Sequence, residues 1–152
     1  MVVSTRQRFP TLGWFQALGE AMNNDVETFR KLGFIDARVG IVVQADEGQA
    51  QSRAYTITFG AYTCDGVAEV DAIDPPNVDF TLQAPFGTWK EMIANIEAND
   101  GPDLRHTLNY LHFGRIELKA TDQLRADLFF RVNSSLQAFF DNAATFKSDF
   151  PG

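Results

Sequence analysis

The sequence predicts an α+β fold with two layers: about five mainly antiparallel strands forming one sheet, with helices covering one face. Two patterns carry this prediction. Between residues 37 and 83, apolar side chains alternate with polar ones, the period of a half-buried strand. Before and after that region they recur at three- and four-residue steps, the period of a helix with one apolar stripe. Helices with one oily stripe and a sheet with one oily face bury each other. The 152 residues fit a single domain spanning 1–152, with N-terminal helices over 1–34 and a core over 35–143.

Helical signals begin at Trp14, Phe15, Leu18 and Met22, which share one face. A break falls near Asn23-Asn24. There Asn24 and Glu27 have the spacing of a capping box. Val26, Phe29 and Leu32 then share a face, Gly33 supplies the stop, and Phe34 is expected to pack back over the last turn.

Strands follow. In 37–45, Val39, Ile41 and Val43 point one way, and in 53–62, Tyr55, Ile57, Phe59 and Ala61 do the same. Asp46-Glu47-Gly48-Gln49 reads as a turn between them. Cys64-Asp65-Gly66 reads as a second hairpin turn, because Asp-Gly readily takes positive φ. A shorter strand runs from Val67, and Pro75-Pro76 breaks the chain. Val78, Phe80 and Leu82 then alternate with Asp79, Thr81 and Gln83. Successive strands favour an antiparallel meander.

The period then returns to 3.6. Thr88 and Glu91 suggest a capping box for a helix striped by Trp89, Met92, Ile93 and Ile96, ending at Asn99-Asp100-Gly101-Pro102. Leu104, Leu108 and Leu111 mark a short helix closed by Gly114. Ile116, Leu118 and Ala120 mark a last strand. The longest helix covers 122–143, where Leu124, Leu128, Val132, Leu136 and Phe140 step by four, flanked by Phe129 and Phe139.

Charge and composition exclude several functions. The net charge is -7 and the basic residues are scattered, so a nucleic-acid partner is not expected. No apolar run reaches the 18 or more residues of a membrane span. Met1 to Pro10 lacks the apolar core of a signal peptide, and the single Cys64 suits a reducing compartment; the expected location is the cytoplasm.

No phosphate-binding glycine loop or nucleophile elbow is present. His106 and His112, six apart, are out of step for a shared metal on one helix face. Both read as ordinary histidines, Cys64 as a plain small residue, and Asp79 as a solvated carboxylate beside Thr81. No cofactor and no metal are implied. What stands out is apolar surplus. Fourteen phenylalanines, two of them Phe129-Phe130 and two Phe139-Phe140, exceed what a tidy two-layer core needs. Either they make a Phe-rich core, or they wall an incompletely filled one that takes a ligand.

The run Val78-Asp79-Phe80-Thr81-Leu82, the Trp89 helix, the entry Phe113-Gly114-Arg115-Ile116-Glu117-Leu118-Lys119 after Leu111-His112, and the long Leu/Phe helix together resemble the sterol carrier protein 2 family. Arg115 stands where that family's strand entry carries Lys. The hairpin from Ala54 to Glu69, with Tyr55, looks like the family's central strand pair. The resemblance covers roughly residues 35–142 and rests on the order of elements. It implies a five-stranded sheet with helices on one face and a hydrophobic tunnel between the layers. It also implies non-enzymatic binding and carriage of a fatty acid, acyl lipid or sterol-like ligand.

On this reading the ligand is lined by Ile41, Ile57, Phe59, Phe80 and Leu82 from the sheet. Trp89, Met92, Ile93, Ile96, Leu111, Leu128, Phe129, Val132 and Leu136 line it from the helices. A homodimer is compatible with it. Two other classes compete. One is an accessory interaction module for a lipid- or quinone-modifying assembly. The other is a small steroid-isomerase-like enzyme, for which Tyr55, Asp79 and His106 are the candidate groups.

Overall fold

A computed structural model describes residues 6–101, 103–108 and 115–150. Its elements in chain order are β1 (Arg6–Arg8), α1 (Leu12–Asn23), α2 (Val26–Leu32), β2 (Ala37–Gln44), β3 (Arg53–Gly60), β4 (Thr63–Val70) and β5 (Phe80–Pro85). They continue with α3 (Phe86–Asn99), β6 (Glu117–Lys119), α4 (Gln123–Asp141) and β7 (Lys147–Asp149). Of the expected Leu104–Leu111 helix, the described part carries a 3-10 turn at Leu104–His106; 109–111 and the entry at 113–114 lie outside the described residues.

The main sheet has the order β4-β3-β2-β5-β6. Its neighbours are antiparallel except β2 and β5, which run parallel. The expected α+β, mainly antiparallel architecture is therefore present, but the meander stops at β4. β5 lies on the far side of β2, and the segment 71–79 crosses the sheet to reach it. The prolines at 75 and 76 cannot donate to a ladder, and the segment bonds to β2 at its end, where the Asp79 N–H donates to the Arg38 carbonyl (2.7 Å).

Register sets which side chains meet the helices. Because successive residues point to opposite faces, Phe80, Val39 and Ile57 form one cross-strand row, and Leu82, Ile41 and Tyr55 form the next. All six are 0–1% exposed. The opposite face carries Arg38, Gly40, Val42, Thr56, Thr81 and Gln83.

Helix α1 starts at Thr11, whose hydroxyl accepts from the Trp14 N–H (3.1 Å). It packs on β4 so closely that a Cβ on Gly19 would lie 2.9 Å from Cys64 Sγ. The break after Asn23 is as expected. Asn23 also decides where the hairpin turns. Its side-chain amide donates to the Cys64 carbonyl (2.9 Å) and accepts from the Cys64 N–H (2.8 Å), which holds Cys64 in an extended strand. The turn falls instead at Ala61-Tyr62, with Ala61 at φ +58°, and Cys64 is buried on β4. Cys64-Asp65-Gly66 is thus strand, contrary to the Asp-Gly signal.

Neither expected capping box forms. Asn24 closes α1, and Asp25, which precedes α2, makes no side-chain cap. Helix α3 begins two residues before Thr88, and its Gly87 N–H donates to the Asp46 carboxylate (2.7 Å). The other oxygen of Asp46 holds the Gly48 N–H (2.8 Å), so one turn residue from the β2–β3 loop caps a helix 41 positions on. Thr88 is buried, and Glu91 points to Arg115 and His106. Gly33, at φ +115°, stops α2 as expected, but Phe34 is 59% exposed and meets the edge of Tyr62 rather than the helix.

Helix α4 is capped by Asp122, which accepts from the Arg125 N–H (2.9 Å). Leu124, expected on its apolar stripe, is 78% exposed. Steps of four advance about 40° beyond a full turn each time, so a row in register at Leu136 has swung off the face by Leu124.

A second, two-stranded parallel sheet pairs β1 with β7. Arg6 grips both oxygens of Asp149 (3.1 and 2.6 Å), and the Trp14 indole N–H donates to Ser148 Oγ (2.8 Å) in the interior. Phe9 and Trp14 meet edge to face at 4.8 Å under this ribbon. Removing the hydroxyl with Ser148→Ala leaves the indole N–H of a fully buried Trp14 without a partner. We expect a loss of about 1–3 kcal/mol, read as a lower urea midpoint with an unchanged slope.

Candidate functional site: the interior between sheet and helices

The fold brings the sequence-predicted lining residues together. Ile41, Ile57, Phe59, Phe80 and Leu82 face Trp89, Met92, Ile93, Ile96, Phe129, Val132 and Leu136 in one contiguous apolar cluster, each at most 5% exposed. Leu128 is half-buried at its margin. Leu111 lies outside the described residues. Ring contacts couple the sheet to α4, where Phe80 meets Phe129 edge-on at 5.7 Å and Phe59 meets Phe139 at 5.1 Å, and join α3 to α4, where Trp89 stacks on Phe140 at 5.7 Å. The Trp89 indole N–H donates to the Val42 carbonyl (3.0 Å), which fixes the first turn of α3 over β2.

Sequence reasoning left Phe15, Tyr55, Leu108 and Ile116 off the lining, although all four belong to this interior. Tyr55 was visible in the strand alternation. Phe15 joins through α1, whose position over the sheet has no local signal.

Several buried polar atoms have no partner. The Tyr55 hydroxyl is one; its ring lies 4.5 Å from Phe15, and burial, with Glu69 nearby, pushes its pKa up to about 12. Asn133 Oδ1 on α4 is another. One turn on, Gln137 accepts from the Leu108 N–H (2.7 Å) and donates to Asp141 (2.8 Å), whose carboxyl is raised by burial. Asn133, Gln137 and Asp141 are spaced by four, so a polar track runs along α4 beside the apolar stripe of Phe129, Val132 and Leu136. The interior wall is therefore amphipathic.

Two cavities lie away from this packed interior. One, of about 630 Å³, opens on the other face of the sheet; of the predicted lining residues only Phe80 borders it. The other, of about 440 Å³, sits between Phe9-Pro10 and the loop 48–51.

The candidate enzymatic groups do not hydrogen-bond one another. Asp79 accepts from the Arg38 N–H (2.8 Å), and the Tyr55 hydroxyl, with Glu69 and Arg53 near it, makes no hydrogen bond to either of the other two groups. His106 bridges Asp103 (2.6 Å) and Glu91 (3.2 Å), and Glu91 also pairs with Arg115. This network joins α3 to the chain on both sides of 109–114. Its carboxylates hold the His106 imidazolium, so its pKa is raised, by Asp103 first and Glu91 second, while both carboxyls are lowered. Among the described residues no three His, Cys, Asp or Glu side chains gather as for a metal ion, and no helix is long and apolar enough to cross a membrane.

Comparison with solved structures places this scaffold. A sterol carrier protein 2 crystal structure superposes with a TM-score of 0.65 at 23% identity, over 88% of this chain and 95% of that one. A conserved hypothetical protein of Thermus thermophilus, suggested to be a sterol carrier protein, gives 0.63 at 22% identity, over 88% of each chain. The sterol carrier protein domain 2 of Helicoverpa armigera gives 0.50 at 17% identity, over 86% of this chain and 85% of that one. No family model and no curated protein sequence matches the chain. At these identities the likeness establishes the fold: the sequence-based expectation of a sterol carrier protein 2 scaffold holds.

Two outcomes follow from the polar groups. Tyr55→Phe removes a hydroxyl that has no partner, so stability should be unchanged or higher by about 1 kcal/mol, in contrast to a satisfied buried tyrosine. For His106 the folded pKa lies above the unfolded one. Its contribution is fully present below the unfolded value and is lost as pH rises through the folded value. Urea unfolding should therefore show stability falling as pH rises above the ordinary histidine value of about 6.5, and His106→Gln should flatten that slope.

Proposed function

We propose that the protein holds, without transforming it, a lipid-like ligand between the sheet and the helices, and carries it in solution. The ligand is an acyl chain or a sterol-like molecule with one polar end. The observation that supports this reading is the amphipathic wall of α4: Phe129, Val132 and Leu136 offer an apolar strip, and the unpartnered Asn133 Oδ1 lies beside it. The scaffold supports it as well, since the solved structures of like fold are described as sterol carrier proteins.

The sheet side of the ligand is Ile41, Ile57, Phe59, Phe80 and Leu82. The helix side is Trp89, Met92, Ile93, Ile96, Leu128, Phe129, Val132 and Leu136; Leu111, also on the lining expected from the sequence, lies outside the described residues. The described side chains touch across the layers, so a guest must part α4 from the sheet. That breaks the Phe80–Phe129 and Phe59–Phe139 edge contacts, at about 0.5–1.5 kcal/mol each. An acyl chain gains about 0.8 kcal/mol per buried CH₂, so ten methylenes outweigh the loss several-fold. Leu128, half-buried, and Leu124, exposed, give the N-terminal half of α4 an apolar flank by which a guest enters. Burial of this kind is non-directional, so no single lining residue is indispensable.

The test is solvent extraction of the purified protein, with mass spectrometry of what comes out, followed by thermal unfolding with added oleate or cholesterol. At a hundredfold excess over Kd, linkage gives about 2.7 kcal/mol, or a rise in Tm of roughly 5–10 °C. Val132→Trp, which fills the strip, should weaken oleate at least tenfold while circular dichroism stays native. If neither acyl lipids nor sterols are extracted and neither raises Tm, the reading fails.

A further inference from the structure

We propose a second binding site, on the face of the sheet turned away from the helices, that takes an extended amphipathic monocarboxylate. It does not rest on the interior reading above.

The site is the cavity of about 630 Å³ between that face and the crossing segment 71–79. Its volume falls in the range of small-molecule pockets. The floor runs from Ala54 on β3, over Val42 on β2 and Gln83 and Thr81 on β5, to Lys119 on β6. Crossing three inter-strand spacings makes it about 14 Å long. This is the length of an extended chain rather than a compact ring system.

The wall is built and pinned. The crossing segment descends diagonally from the end of β4 to the start of β5, and Ile73 seats directly on Gly40. A Cβ on Gly40 would lie 3.1 and 3.2 Å from two Ile73 carbons and 2.7 Å from Thr81 Oγ1, so this seat exists because residue 40 has no side chain. At the far end the Arg125 guanidinium, from α4, donates to the carbonyls of Val78 (3.0 Å) and Pro76 (3.4 Å). Between them Asn77 folds back on Asp74 (2.7 Å) over a 3-10 turn started by the two prolines. The segment that the sequence marks only as a breaker is thus the fixed side of a trough.

The chemistry of the two ends differs. Arg53 is committed to Glu69 (3.1 Å), and the Ser52 hydroxyl accepts from the Ala45 N–H (2.9 Å). Asp71 adds a carboxylate at that end. Lys119 has no ion pair among the described residues; Thr81 is its partner across the ladder, and Gln83 stands opposite Glu117, the next residue on that face of β6. Between the ends the surface is Val42, Ala54, Ile73 and Val78. A carboxylate head therefore goes to Lys119, an alkyl tail lies over the apolar middle, and Asp71 rejects a second carboxylate at the far end.

The test is ¹⁵N-resolved NMR titration of the intact protein with decanoate. The amides of Val42, Ala54, Gln83 and Lys119 should shift. Lys119→Met, at an exposed position on an edge strand, should weaken decanoate about tenfold and leave decanol unchanged. Decanedioate should bind at least tenfold more weakly than decanoate. Gly40→Val, which unseats Ile73, should abolish the shifts; where that variant fails to fold, Lys119→Met decides alone. Shifts confined to α3 and α4, no binding, or a decanoate affinity indifferent to Lys119 would each overturn this site. The first of these would leave the interior reading standing, and shifts confined to the outer face would leave it without support while upholding this one.

Discussion

Strand β2 has partners on both sides, and its helix-facing side chains, Val39, Ile41 and Val43, are fully buried. Its register with β3 and β5 sends Ile57 and Tyr55, and Phe80 and Leu82, to the same face. A slip of one residue would turn any of these rows outward. The helices answer to that face: α3 is fixed over β2 by the Trp89 bond to the Val42 carbonyl, and α4 meets the rows through Phe129 and Phe139. Stability and the proposed ligand site share this surface, because the residues that hold the layers together are those that a guest would touch.

The same register governs the other face. With β4 and β5 on opposite sides of the β3–β2 pair, the connection between them must cross the sheet. The helices occupy one side, so the crossing lies on the other, where Gly40 admits Ile73. What reads in one dimension as a polar strand face is in three dimensions partly roofed. A thin layer of this kind buries little area, so its packing depends on one position without a side chain and on one arginine reaching around from α4.

Much of this was legible in the sequence. Strand alternation identified Val39, Ile41, Ile57, Phe80 and Leu82, and helical stripes identified Trp89, Met92, Ile93, Ile96, Phe129, Val132 and Leu136, because burial on one side imposes a period. What failed was decided by distant partners. Cys64 is strand rather than turn because Asn23 clamps its backbone. Helix α3 starts early because Asp46 caps it from the β2–β3 loop. The β1–β7 ribbon, built from Arg6-Gln7-Arg8 and Lys147-Ser148-Asp149, carries no alternation at all. Leu124 left the stripe through the drift of a four-residue step. The path of residues 71–79 was hidden because nothing local says which strand β5 will join.

The most direct test of the central claim is a crystal structure of the protein loaded with oleate. The account predicts elongated density between α4 and the β2–β5 half of the sheet, touching Val132 and Leu136, with Phe129 moved away from Phe80. An interior in which those rings keep their edge contact, with no density between the layers at saturating oleate, would contradict it.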